Sequence, residues 1–418
     1  MTHAPTGGTA PPHRRLPSTH VVVVGAGPGG TATALLLARA GAHVTLLERA
    51  EASRPVGAGI LLQPNGLAVL DGLGLADDLH AVGHAEHTIR LHDARGRQLT
   101  GATVPDFGEG LDHMLAVRRS DLASTIDAAV ESEPGIDRIW GAVVLSASAD
   151  GTVTFRRDGR GETLAADLVI GADGIKSAVR DRGDGGPSRF GVRIGTERHT
   201  YLRGTVVTDR VVDMAEYWTP LGLFGCTPLD RGRVYFYGDA GTPAIAAALA
   251  AGDTAEVAAV WGAALPLAGE LLGAAADDAL LVNGARTLTC KRWVDGRVAL
   301  LGDAAHAMEP TLGQGANSAF VDAAVLLEEL LAGTDPAMAL RRYESRRKPA
   351  VWTVQRTAAG LAFLASRRGR VLPVLRNGIL RVTDRPAATE RRARTVQQER
   401  PAALRQSVRR STAGQPGR

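Results

Sequence analysis

The sequence predicts an α/β fold in which a Rossmann-like parallel sheet is interleaved with an antiparallel sheet and followed by a helical region. Residues 19–50 read strand, glycine-rich turn, helix and strand, which together form one βαβ unit. Between about residues 185 and 285 the chain changes to short aromatic and β-branched segments separated by turn residues, as in an antiparallel sheet. After about residue 338 the pattern is typical of helices.

Composition and charge limit the classes of partner. The 418 residues are 44% hydrophobic, which is enough to bury a sizeable core. The formal charge of +4 is misleading, because residues 385–418 hold nine arginines against two glutamates and the rest of the chain is slightly acidic. We therefore expect no nucleic-acid partner. Residues 385–418 have few apolar positions and predict a basic flexible tail, with a polyanion-binding arm as the alternative.

Cysteine usage and hydropathy indicate the compartment. Only Cys226 and Cys290 are present, so neither a disulfide framework nor a cysteine metal site is predicted. No apolar run reaches the roughly 18 residues of a membrane span. Two arginines precede the first apolar stretch, but the glycines that follow it come too early for an export signal. We expect a cytoplasmic protein with no metal and no membrane span, whose residues 1–18 form a disordered tail.

The segment "VVVVGAGPGG" at residues 21–30 joins four β-branched strand formers to a glycine-rich turn. Gly25 permits the turn, Gly27 lets the backbone approach a pyrophosphate, and Gly30 allows close packing of helix against strand. The N-terminus of the following helix attracts the same anion. The segment therefore predicts dinucleotide binding.

Acidic residues follow three apolar, strand-like segments. Glu48 ends the second strand, where a carboxylate accepts hydrogen bonds from an unphosphorylated ribose, as in FAD or NAD. Arg49, beside it, is a further cofactor-binding candidate. Asp173 follows "ADLVIGA" and Asp303 follows "GRVALLG". Ligands of open α/β sheets bind outside the carboxyl ends of the strands, so these acids are candidates for sugar or ribityl hydroxyls.

Three ordered motifs resemble the single-component FAD-dependent aromatic hydroxylases, of the para-hydroxybenzoate and salicylate hydroxylase type. They are the glycine loop with its acid, the DG motif at 173–174 and the GD motif at 302–303. "GAGILLQPNGLAVLDGLGL" (57–75) and "RRSDL" (118–122) also look like this family, and the resemblance covers about residues 20–350. It implies FAD bound in a glutathione-reductase-type domain. NAD(P)H would bind transiently as co-substrate, since there is no second glycine fingerprint.

The resemblance also implies roles for individual residues. Arg119 would bind the FAD pyrophosphate, Asp173 would lie near FAD and the path of the nicotinamide, and Asp303 would hold the ribityl chain. Pro310 would lie beside the reacting flavin edge. The flavin pyrimidine ring would face the start of a helix, whose dipole stabilises the negative charge of the reduced flavin. The residues of that helix start are Gly313, Gly315, Ala316 and Asn317.

The implied chemistry is monooxygenation. NAD(P)H would reduce FAD, O2 would add to give a flavin hydroperoxide, and one oxygen atom would pass to an aromatic or phenolic small molecule. Epoxidation, Baeyer–Villiger oxidation, a non-oxygenating FAD-dependent reductase and a non-catalytic FAD-binding protein are the alternatives. A flavin-dependent halogenase is disfavoured, because its WxWxIP motif is absent. The expected partners are an aromatic substrate and O2, and we expect a monomer or homodimer.

The antiparallel sheet offers an aromatic wall for the substrate. Strand alternation places Tyr235 and Tyr237 on one face. Arg203 is the anion-binding candidate, because a buried guanidinium needs a partner. Together with Tyr217 and Pro310, it completes the catalytic candidates, and no base for a phenol is assigned.

Two further titratable residues belong to the GD motif. His306 lies one turn past Asp303 and is expected to hold the loop in shape rather than act as a general base. Glu309 precedes Pro310, where it either tunes substrate choice or points to solvent.

The predicted domains alternate along the chain. The FAD-binding domain comprises residues 19–90, 115–185 and 285–338, and the substrate domain comprises residues 91–114 and 186–284. Helices at 339–384 and the tail at 385–418 follow.

Overall fold

A computed structural model describes residues 16–53, 58–181, 188–230, 232–275, 280–333, 335–367, 372–383 and 386–412. Most of the predicted N-terminal tail therefore lies outside the described residues. Within these ranges no helix is long and apolar enough to cross a membrane. The same residues contain no cluster of three or more His, Cys, Asp or Glu side chains that could hold a metal ion.

The valine run forms the centre of a six-stranded sheet, because its side chains are buried on both faces. The strands are β1 His20–Val24, β2 His43–Leu47, β8 Ile136–Ile139, β12 Leu168–Gly171, β20 Val294–Asp295 and β21 Val298–Leu300. Their order is β20-β21-β12-β1-β2-β8, and only β20 runs antiparallel to its neighbour. The residues that follow β1, β2, β12 and β21 consequently meet at one edge of the sheet.

Helices and small sheets surround this sheet. The helices are α1 Pro28–Arg39, α2 Pro64–Gly72, α3 Ala76–Val82, α4 Arg119–Glu131, α8 Asp303–His306 and α9 Gly315–Ala332. One small sheet contains β3 Gly59–Leu62, β4 His84–Glu86 and β7 Met114–Arg118. Another contains β9 Val143–Ala147, β10 Thr152–Arg157 and β11 Arg160–Ala165.

A seven-stranded sheet forms the second layer, in the order β18-β14-β17-β16-β15-β5-β6. Its strands are β5 Thr88–Asp93, β6 Gln98–Thr103, β14 His199–Val207, β15 Ala215–Thr219, β16 Gly222–Pro228, β17 Arg233–Asp239 and β18 Leu281–Ala285. All pairs are antiparallel except that of β15 and β5. A separate two-stranded ladder joins β13 Val192–Ile194 and β19 Leu288–Cys290.

The second layer also contains helices within a region predicted as sheet. They are α5 Pro243–Ala251, α6 Thr254–Ala264 and α7 Pro266–Ala274. Trp261 of α6 is buried against Phe224, with ring centroids 5.2 Å apart. These helices therefore cover one face of the seven-stranded sheet and leave the other face free to form a site.

Helices occupy most of the described C-terminal residues, and residues 386–396 and 401–412 are helical where a flexible tail was expected. The helices are α10 Pro336–Ala365, α11 Leu372–Thr383, α12 Pro386–Val396 and α13 Pro401–Thr412. Leu404 and Val408 join the main core. Arg405 is buried and pairs with Asp71 of α2 at 2.9 Å and with Glu109. Arg405 of α13 is thus held by acids that lie far away in the sequence.

Candidate active site

A cleft of about 940 Å³ separates the carboxyl edge of the six-stranded sheet from the uncovered face of the seven-stranded sheet. Gly27, Glu48, Asp303 and Gly315 line it on the first side. These residues come from two parts of the chain that lie far apart in the sequence, and the sheet order brings them to one cavity. The aromatic wall predicted for the substrate faces them.

The three glycines after β1 occupy different environments. Gly25 has a φ of +101°, and a Cβ there would lie 2.6 Å from the carbonyl oxygen of Ala172. A Cβ on Gly30 would lie 1.9 Å from the carbonyl oxygen of Gly25. Gly27 instead has no atom within 4 Å of its Cβ position and lines the cleft. Gly25 and Gly30 therefore shape the loop, while Gly27 leaves space for a ligand.

Backbone amides hold Glu48 at the rim of the cleft. Its Oε2 accepts a hydrogen bond from the Ala26 amide at 2.7 Å, and its Oε1 accepts one from the Ala50 amide at 2.9 Å. The adjacent Arg49 is exposed and does not line the cleft. The structure therefore does not bring Arg49 to the cofactor side, in contrast to our expectation.

Asp303 and Arg119 both line the cleft, and neither side chain forms a hydrogen bond or an ion pair with another described residue. Burial raises the pKa of the Asp303 carboxyl. Burial lowers the pKa of Arg119, and the Arg203 guanidinium lowers it further. Both residues are nevertheless exposed to the open cleft, where a ligand with hydroxyl and phosphate groups would meet them.

The start of α9 forms the floor of the cleft. Gly313 has a φ of +62°, and its amide donates to the Pro310 carbonyl at 2.8 Å. Gly315 has no atom within 4 Å of its Cβ position, so the helix start is open to the cleft there. Ala316 also lines the cleft. Asn317 is buried behind it, where it accepts a hydrogen bond from the Gln63 amide at 2.9 Å and donates one to the Gly313 carbonyl at 2.7 Å. Asn317 thus holds the turn rather than facing a ligand.

Asp173 also shapes a loop rather than lining the cleft. Its Oδ2 accepts a hydrogen bond from the Ala178 amide at 2.7 Å, and burial raises its pKa. Arg180, from the same turn, donates to the Ala304 carbonyl at 3.0 Å. The DG motif therefore braces the GD loop. The neighbours of Asp173, Ala172 and Gly174, line the cleft, and its expected place near the nicotinamide path stays a prediction.

A buried ionic cluster holds the GD loop to the helices behind it. Asp322 of α9 accepts hydrogen bonds from the Gly302 amide at 3.0 Å and from Arg347 Nε at 2.7 Å. His306 Nε2 lies 2.6 Å from Oδ2 of Asp322. Burial would raise the pKa of Asp322, but the charges of His306 and Arg347 hold it at about 2. Asp322 escaped prediction because it lies within the apolar run of α9.

Glu309 lies neither in solvent nor in the cleft. It is buried, and its Oε1 lies 3.0 Å from His199 Nδ1. The hydrogen bond and the charge of Glu309 raise the pKa of His199. This pair connects β14 to the turn containing Pro310, which lines the cleft.

The substrate wall contains most of the predicted aromatic residues but not Tyr217. Arg203, Tyr235 and Tyr237 line the cleft. Tyr217 lies outside it and stacks on His92, with ring centroids 5.2 Å apart. Strand alternation gives the reason, because the neighbours of Tyr217 in β15 face the cleft and Tyr217 therefore faces away. Tyr217 is consequently removed from the catalytic candidates.

Comparison with known proteins identifies the class. A family model described as "FAD binding domain" matches residues 18–199 and 272–358. The chain is 32% identical over 370 residues, 87% of its length and 94% of the relative's, to a 2-heptyl-3-hydroxy-4(1H)-quinolone synthase of Mycobacteroides abscessus. It is 35% identical over 376 residues, 81% of its length and 87% of the relative's, to a 3-amino-4-hydroxybenzoate 2-monooxygenase of Streptomyces platensis.

A solved structure shows the same fold. The tetrameric form of 2-methyl-3-hydroxypyridine-5-carboxylic acid oxygenase matches with a TM-score of 0.72 and 26% identity, over 83% of this chain and 92% of that one. The fold, the cleft and these matches define an FAD-dependent monooxygenase. The chain belongs to the family of single-component FAD-dependent aromatic hydroxylases.

The cleft residues fit FAD. Gly27 and Gly315 leave space in which a Cβ meets no atom, as close approach of a pyrophosphate and a ring requires. Arg119 and Asp303 offer an unpaired cation and an unpaired carboxyl to the same cavity. When bound, FAD supplies the redox and oxygen chemistry, and the protein supplies position and electrostatics.

Proposed function

We propose that this protein is an NAD(P)H- and O2-dependent monooxygenase that adds one oxygen atom to a small aromatic substrate held between Pro310 and the seven-stranded sheet. One observation carries the proposal: the FAD-fitting residues and an aromatic wall border a single cavity. The two relatives support an aromatic substrate, since their names specify a quinolone and an aminohydroxybenzoate.

The residues on the first side of the cleft would bind the cofactor. Gly27 and the N-terminus of α1 would receive the pyrophosphate, with Arg119 as its counter-charge. Glu48, already fixed by two amides, has free lone pairs for ribose hydroxyls. Asp303 would accept hydrogen bonds from the ribityl chain.

The start of α9 would stabilise negative charge on the pyrimidine side of the ring. The dipole at this helix start is worth about 0.3–2 kcal/mol to a nearby anion. Pro310 and the seven-stranded sheet would exclude water from the reacting edge, and Arg203 would hold an acidic oxygen of the substrate. We further propose that the protein is a monomer or homodimer and is cytoplasmic. Its two buried free cysteines fit a reducing compartment.

A coupled assay tests the proposal. The FAD-loaded protein is given NADH or NADPH with a panel of hydroxybenzoates, aminohydroxybenzoates and hydroxyquinolines. We expect one class to accelerate NAD(P)H oxidation and to yield a product heavier by one oxygen atom. NAD(P)H oxidation that proceeds equally well without O2, with reduction of the added compound, would instead identify the alternative reductase.

A further inference from the structure

A row of cleft-facing side chains crosses the seven-stranded sheet and ends at a carboxyl group that has no role in the proposal above. Arg203 of β14 pairs in register with Tyr237 of β17, and Tyr237 pairs with Gly225 of β16. Gly225 in turn pairs with Glu216 of β15. Residues that face each other across neighbouring strands project from the same side of a sheet. The row therefore runs Arg203, Tyr237, Gly225 and Glu216 along one wall of the cleft.

Because Gly225 has no side chain, the Tyr237 ring can cross β16 and reach Glu216. A Cβ on Gly225 would lie 2.2 Å from Cζ of Tyr237 and 2.5 Å from its hydroxyl oxygen. The Tyr237 ring thus lies across β16, and its hydroxyl donates to Glu216 Oε2 at 3.1 Å. On the other side, Trp218 Nε1 donates to Glu216 Oε1 at 2.6 Å. Two aromatic donors therefore fix the orientation of the carboxyl group.

Glu216 has no cationic partner. It lines the cleft, burial raises its pKa, and no arginine, lysine or histidine of the described chain forms an ion pair with it. Each oxygen accepts one hydrogen bond and retains a second lone pair. A carboxyl in a cavity wall with this remaining capacity favours a ligand that donates N–H or O–H.

The opposite end of the row carries the complementary charge. The Arg203 guanidinium lies 5.9 Å from the centre of the Tyr201 ring, and none of the described carboxylates pairs with it. Three strand spacings separate Arg203 from Glu216, or about 14 Å between backbones at the usual interstrand distance. Both side chains line the same cleft, so one ligand lying along the row can meet both of them.

We propose that Glu216 recognises the donor group of the substrate, so that the cleft selects aromatic compounds with an amino or hydroxyl donor at one end and an acidic oxygen for Arg203 at the other. This inference rests on the proposed function, because it concerns the substrate side of the same cleft. It assigns Glu216 as a substrate-binding residue and Tyr237 and Trp218 as the residues that position it.

Binding to the oxidised holoenzyme tests the inference without turnover. The dissociation constants of 4-aminobenzoate, benzoate and aniline are measured from the change they cause in the flavin absorbance. We expect 4-aminobenzoate to bind about ten- to a hundredfold more tightly than either other compound, as hydrogen bonds to charged groups imply. Equal binding of the three compounds, or binding of none of them, would overturn the inference.

Two variants separate the two ends of the row. Glu216→Gln should raise the dissociation constant of 4-aminobenzoate to about that of benzoate. The dissociation constant of benzoate should not change. Arg203→Gln should weaken the two acids but not aniline. The matched control is Glu197→Gln, at a surface glutamate that pairs with Arg286, and it should behave as wild type. If Glu216→Gln weakens all three compounds equally at full FAD occupancy, Glu216 is merely structural and the inference fails.

The result is independent of the proposed reaction. These constants are measured without NAD(P)H and under conditions in which no oxygen is transferred. A protein that shows the predicted selectivity but never forms an oxygenated product would contradict the proposed function and leave the assignment of Glu216 standing.

Discussion

The glycines of the loop after β1 serve two purposes, since one is needed for the loop to fold and another for it to bind the cofactor. A side chain on Gly30 would clash with the Gly25 carbonyl, whereas a side chain on Gly27 would extend into the cleft. Gly27 also has an extended backbone, with φ −72° and ψ 174°, that any residue can adopt. The same motif therefore contains one position required by packing and another required by the ligand.

The first prediction contrasts these glycines. Gly27→Val should leave the stability of the apoprotein near wild type but abolish FAD retention, because the side chain occupies the cleft. Gly30→Ala should lower the free energy of unfolding by about 1–3 kcal/mol, as overpacking does. Flavin-to-protein absorbance ratios and urea titrations measure the two effects. Wild-type FAD content in Gly27→Val would show that the pyrophosphate does not lie there.

The second prediction concerns Asp303, whose carboxyl meets no protein partner among the described residues. Asp303→Asn should raise the dissociation constant of FAD about ten- to a hundredfold, the usual worth of a hydrogen bond to a charged group. Titration of apoprotein with FAD, followed by fluorescence quenching, gives the constant. Asp209→Asn, at an exposed position, serves as the control. An unchanged constant for Asp303→Asn would remove the ribityl assignment.

At the scale of elements, the Asp322 cluster joins the GD loop, α9 and α10. Asp322→Asn should lower the free energy of unfolding by about 3–5 kcal/mol, because it leaves buried cations without their partner. The pKa of about 2 lies below the ordinary carboxyl value, so this stabilisation is complete above about pH 4 and is lost as the pH falls towards 2. The difference in Tm between wild type and variant should therefore shrink over that range. A difference that stays constant with pH would contradict the ionised cluster.

The C-terminal helix gives the fourth prediction. Arg405 is buried against Asp71, whereas Arg410 is exposed in the same helix. Arg405→Ala should lower the free energy of unfolding by about 1–3 kcal/mol, because it removes a buried guanidinium that joins Asp71 to Glu109 while Arg409 still pairs with Asp71. Arg410→Ala should have little effect. Chemical denaturation compares them. Equal, small effects would support the flexible tail that the composition suggested.

Local patterns predicted some elements well and others poorly. The parallel strands and the start of α9 follow from apolar runs that end in glycine or aspartate, so their positions were readable from neighbouring residues. The order of α13 depends on Asp71, more than three hundred residues away. Helices α5–α7 lie between β17 and β18 in the sequence and cover one face of the sheet. Which face they cover decides whether Tyr217 of β15 faces the cleft. Such long-range partners leave no local trace.

At the scale of the whole molecule, two sheets of different construction meet at one cleft. The six-stranded sheet supplies backbone amides and acids at its carboxyl edge, and the seven-stranded sheet supplies aromatic rings and two opposite charges. The first half of this site was predictable from motifs. Glu216 was not, because its importance depends on the register that places it beside Tyr237.

A single turnover under isotopically heavy O2 tests the central claim most directly. The FAD-loaded protein is reduced with NAD(P)H in the presence of the best substrate of the panel, exposed to the labelled gas, and the product is analysed by mass spectrometry. The account predicts one heavy oxygen atom in the product and the other in water. A product whose added oxygen comes only from water, or a reduced product without added oxygen, would contradict it.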